Sequence, residues 1–154
     1  MSILAFATAA LMAPLGDTDA VFDCLGGERD PGKDWSQIPE TLDKAFSFRV
    51  NGLRTMFESD EVDNEIAPPS DRFVFEGHWF DPDGVSILRV NSEYDQISLH
   101  GQEYTVYFNE PLAKGWVVAA GYNRVSDDQN HSFVCHATLG WEADISDYNS
   151  QEAG

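Results

Sequence analysis

Basic side chains are scarce. The 154 residues hold three lysines and six arginines against 27 Asp plus Glu, a formal net charge of −18. The nine cations are scattered, and the first of them is Arg29. Proteins bind nucleic acid through Lys and Arg that displace counterions from phosphates, so this composition argues against a nucleic-acid partner. It argues equally against charge-driven docking on anionic lipid. Cysteine is also scarce. Two residues, Cys24 and Cys135, cannot form a zinc site by themselves, and no C-x-x-C is present. Long apolar runs are missing. The longest, residues 3–15, falls short of the roughly 20 residues that a transmembrane helix needs. There is no G-x-S-x-G, P-loop or G-x-G-x-x-G, which leaves no sharply defined enzyme class.

The apolar run has the length of a signal-peptide h-region. Ala7-Thr8-Ala9 supplies an A-x-A cleavage site, and a later cut near Ala13 is the alternative. No Lys or Arg precedes it, unlike an ordinary signal peptide. Residues 1–13 are therefore read as a signal peptide or as an apolar N-terminal segment that packs on the core or on a partner. Export would place the chain in the periplasm or outside the cell, where Cys24 and Cys135 would pair as a disulfide.

Residues 14–143 read as one β-rich domain and residues 144–154 as a polar tail. Residues 16–34, rich in Gly, Asp and Pro, read as irregular, with Val21 and Phe22 as anchors. A short N-terminal helix is expected from Asp34 or Ser36 to about Ala45, with Pro39 in its first turn. Asn51-Gly52 between two alternating runs predicts a hairpin that pairs Val50 with Leu53. Residues 58–71 carry six acids and Pro68-Pro69, and read as a loop. Alternating runs then recur every 8–14 residues to position 142. One of them places Phe133, Cys135, Ala137, Leu139 and Trp141 on a single apolar face. The expectation is an all-β antiparallel meander of about eight strands, barrel or sandwich.

Candidate sites are few. His78 and His136 with Glu76 could hold a metal if their strands were neighbours. Asp81 and Asp83 in the Asp81-Pro82-Asp83-Gly84 turn could contribute to a structural calcium ion, although they supply two ligands where calcium takes 6–8. No other cofactor is implied. Glu76 and Glu103 are the acids embedded in strand patterns, and each reads as an outward-facing residue. Asp60, Glu61, Asp63 and Glu65 form the densest acidic stretch, and are the candidates for meeting a basic protein partner. The aromatic residues would either line a calyx for a small apolar ligand or fill the core of a small β domain. Together these features suggest an exported, non-catalytic binding or accessory protein. The alternatives are a structural subunit that docks through its apolar N-terminus and a hydrolase of unknown chemistry.

Overall fold

The structure is a computed structural model that describes residues 11, 13–28, 43–77, 85–101, 104–123 and 131–142. Its nine strands are β1 (Ala20–Glu28), β2 (Asp43–Val50), β3 (Asp63–Ile66), β4 (Phe73–Gly77), β5 (Val85–Asn91), β6 (Gln96–Gly101), β7 (Tyr104–Phe108), β8 (Gly115–Asn123) and β9 (His131–Leu139). All neighbours pair antiparallel, in the order β3-β5-β6-β7-β8-β9-β1-β2-β4. The expected all-β meander is thus present, as a nearly closed barrel. Its seam falls between β3 and β4, the two outermost strands of the order.

The alternation expected for β9 is found. Phe133, Cys135, Ala137 and Leu139 face the core, and His136 and Thr138 face outward. β6 and β7 pair as neighbours, with His100 opposite Thr105. Phe22, Phe46, Phe48, Phe108 and Phe133 are fully buried inside the barrel. Phe22 stacks on Phe48 at 4.8 Å between ring centroids, and Phe133 meets Phe46 edge-on at 5.1 Å. A barrel of about this strand number has an interior just wide enough for side chains to fill it. Offset and edge-to-face ring pairs add roughly 0.5–1.5 kcal/mol each beyond their buried area.

Cys24 and Cys135 are bonded to each other and fully buried. They lie directly opposite one another where β1 pairs with β9, so the bridge joins the first strand to the last.

Four local expectations are corrected. The first concerns residues 16–34, where β1 runs through a stretch expected to be irregular. Its Ala20, Phe22 and Cys24 alternate into the core. Gly26, which suggests a turn, lies opposite Phe133, and a Cβ there would collide with that ring. Second, Asp43, Lys44 and Ala45 belong to β2, not to the end of a helix. Residues 29–42, where the rest of that helix was expected, lie outside the described residues.

Third, the run after Asn51-Gly52 is not the second strand of a hairpin but a helix, α1 (Leu53–Glu58). Gly52 does take the left-handed conformation, with φ 75°. β2 is already paired on both edges, with β1 and β4, so neither edge is free for a second hairpin strand. The turn and the start of the helix are held by other segments. The N–H of Asn51 bonds the Arg72 carbonyl at 2.8 Å, that of Gly52 the Asp19 carboxylate at 2.9 Å, and that of Arg54 the Thr18 carbonyl at 3.1 Å. Leu53 and Met56, three apart, turn to the same side and are buried in the core. Fourth, β3 interrupts the expected loop at 58–71. Only Ile66 of its four residues is buried, so it shows no apolar face in sequence.

Candidate functional site

The outer face of β9, β1, β2 and β4 carries a row of polar side chains. In register across the strands, His136 stands opposite Asp23, Asp23 opposite Ser47, and Ser47 opposite Glu76. Asp23, Ser47 and His136 each lie between two core-facing neighbours, for example Ser47 between Phe46 and Phe48, and Glu76 follows Phe75, which packs on the core, so strand parity turns all four outward. The row ends on β8 at Trp116, which is exposed and meets the His136 ring edge-on at 5.1 Å.

A groove of about 310 Å³ opens over part of this row. Asp23, Ser47, Glu76 and Lys44 supply its polar atoms, and Leu11 and Leu25 its apolar walls. Although it points outward, Ser47 is only 1% exposed. Its hydroxyl donates to Asp23 Oδ1 at 2.6 Å. Oε2 of Glu76 is shielded from solvent and accepts no hydrogen bond among the described residues. A buried carboxylate oxygen without a donor carries a desolvation cost of about 1–3 kcal/mol or more. A ligand with an N–H donor would remove that cost. The groove therefore suits a cationic head on an apolar stem.

Hydrolytic chemistry has little support in this row. The Ser47 hydroxyl is inaccessible and donates to a carboxylate, while the imidazole of His136 stands on the far side of that carboxylate. A serine nucleophile is activated by a base within hydrogen-bond reach of its own oxygen. The disulfide leaves Cys135 without a free thiol.

The metal candidates are not brought together among the described residues. His78, Asp81 and Asp83 lie outside them, as does Glu103. β1 and β2 separate β4 from β9, so Glu76 and His136 are three strand spacings apart, about 14 Å. No group of three or more His, Cys, Asp or Glu suited to a metal occurs among the described residues.

Of the acidic stretch, Asp60 and Glu61 are exposed just after α1. Asp63 and Glu65 sit on β3 beside Arg89 of β5, Glu65 at 2.7 Å and Asp63 at 3.7 Å. Their charge is thus partly answered within the chain, and such exposed pairs contribute at most about 1 kcal/mol. Of the apolar N-terminal run, Leu11 is buried on this chain's own sheet.

The groove was missed in sequence because its walls come from four separate segments. The outward parity of Asp23, Ser47 and Glu76 was open to reading, but their adjacency depends on the strand order. No protein-family model, curated protein or solved structure matches this chain.

Proposed function

We propose that the protein is an exported, periplasmic or secreted, non-catalytic binding protein that engages a basic protein partner on the outside of its barrel. The carrying observation is the groove beside Glu76, whose shielded carboxylate oxygen lacks a donor among the described residues. The phenylalanine-filled interior supports an exterior site over a calyx. The disulfide fits an oxidising compartment, and no helix among the described residues is long and apolar enough to cross a membrane. The net charge of −18 would speed the approach of a cationic partner. In the groove, a Lys or Arg side chain would lay its stem on Leu11 and Leu25 and direct its N–H groups at Glu76 and Asp23.

Affinity purification from the native source tests this, with wild type compared against Glu76→Gln and followed by mass spectrometry for proteins and small molecules. A basic protein retained by wild type and depleted at least tenfold in the variant is expected. A tightly held apolar small molecule, with the same proteins on both baits, would overturn the reading.

A further inference from the structure

We propose that export processing falls N-terminal to Leu11, after Ala9, so that the mature protein keeps Leu11 and residues 13–19, which form a strap across the sheet. The inference rests on the export reading above and chooses between the two cleavage positions that the sequence allows.

Arg49 of β2 carries the argument. It projects from the outer face yet is only 7% exposed. Its guanidinium is held mainly by the strap. Nη1 donates to the Ala13 carbonyl at 2.6 Å, and Nη2 donates to the Pro14 carbonyl at 3.1 Å and to Asp19 Oδ2 at 3.2 Å. Nε donates to Asn51 Oδ1 at 2.8 Å. A buried cation needs its donors answered, and losing the Ala13 carbonyl would leave a guanidinium N–H without its acceptor although Asp19 still balances the charge.

The rest of the strap is fastened as firmly. Asp19 accepts from the Gly52 and Gly16 N–H groups at 2.9 Å each, and its own carbonyl accepts from Gly140 N–H at 2.8 Å. Gly140 approaches the strap so closely that a Cβ there would overlap the Gly16 carbonyl. Leu11, at 4% exposure, is one wall of the groove.

Hydrolysis after Ala13 would remove both Leu11 and the Ala13 carbonyl. Water would add across the Ala13–Pro14 bond, the carboxylate leaving with the leader and Pro14 nitrogen becoming an ammonium. The shortest acceptor of Arg49 would be exchanged for a second cation beside the guanidinium. Hydrolysis after Ala9 divides the same water between the Ala9 carboxylate and the Ala10 ammonium. It uses the A-x-A site Ala7-Thr8-Ala9 and leaves every one of these contacts in place.

The test is N-terminal sequencing and intact mass of the full chain after passage through a bacterial export system. The expected first residue is Ala10. A first residue beyond Leu11, such as Pro14, would overturn the inference while leaving export standing. A retained Met1 would overturn the export reading and the cut together. In the same system Ala9→Leu is expected to reduce processing at least tenfold. Unchanged processing of that variant would also overturn the proposal.

Discussion

Replacing both cysteines, Cys24→Ala with Cys135→Ala, should remove a large part of the stability of this fold. The bridge spans 111 residues of sequence. Chain-entropy reasoning assigns a closed loop of that order about 4.7 kcal/mol, while measured bridges give about 2–4 kcal/mol. Both side chains are fully buried, so each alanine also leaves a space near the size of a methyl group, costing roughly 1 kcal/mol. The sum, roughly 4–6 kcal/mol, compares with total stabilities of about 5–15 kcal/mol for a domain. Urea unfolding of the oxidised wild type and the double variant measures the difference. The variant should also show a steeper dependence on urea, because its unfolded chain is free to expand. The disulfide of the wild type should resist reductant in native buffer and yield to it only where urea opens β1 from β9. A loss below about 1 kcal/mol, or reduction as fast in buffer as in urea, would refute the reasoning.

Other perturbations read other parts of the account. Gly26→Ala places a methyl group against the Phe133 ring, and should cost about 1–3 kcal/mol by thermal or urea unfolding. Burial acts to raise the Asp19 carboxyl, but the N–H groups of Gly52 and Gly16 and the Arg49 guanidinium outweigh it and hold the group below the usual carboxylate range. A lowered folded-state pKa gives stability that is complete above the unfolded value of about 3.9 and is lost as pH falls through the folded value. Asp19→Asn should therefore cost roughly 1.5–3 kcal/mol at pH 7, and its deficit relative to wild type should shrink below about pH 4 in an acid titration followed by circular dichroism. Glu76→Gln should cost no more than about 0.5 kcal/mol, and should stabilise the fold by up to about 1–3 kcal/mol where it relieves the shielded charge. A larger loss on urea unfolding would mean that Glu76 already has a structural partner.

Much of the barrel was legible because its strands alternate against one shared core. In β9 the apolar residues fall at every second position from Phe133 to Leu139, a pattern that only an extended chain with one buried face explains. The cysteine pairing was legible because the chain's two cysteines have only each other to pair with. What escaped depended on remote contacts. Leu53, Thr55 and Phe57 satisfy a strand period as well as Leu53, Met56 and Phe57 satisfy a helical one. Helix α1 wins because β1 and β4 occupy both edges of β2, and because Thr18 and Asp19, more than 30 residues upstream, accept the N–H groups of Arg54 and Gly52. β1 was obscured by Asp23, Gly26 and Gly27, each of which suggests a turn. β3 was obscured by acids that face outward at the seam of the barrel. The groove escaped for a further reason. Glu76, Ser47 and Asp23 are nearest neighbours only once the order β4-β2-β1 is known.

The central claim, that binding takes place in the outer groove and not inside the barrel, is tested most directly by a nuclear magnetic resonance titration of the uniformly labelled protein. N-acetyl-lysine amide is the probe, and N-acetyl-norleucine amide, which keeps the apolar stem without the ammonium, is the control. The account predicts that the lysine probe moves the backbone amides of Asp23, Lys44, Ser47 and Glu76 together, and that the norleucine control and the Glu76→Gln variant do not reproduce the shifts. Shifts confined to Asp60, Glu61, Asp63 and Glu65, or core resonances such as Phe46 and Phe108 moving with both probes, would contradict it.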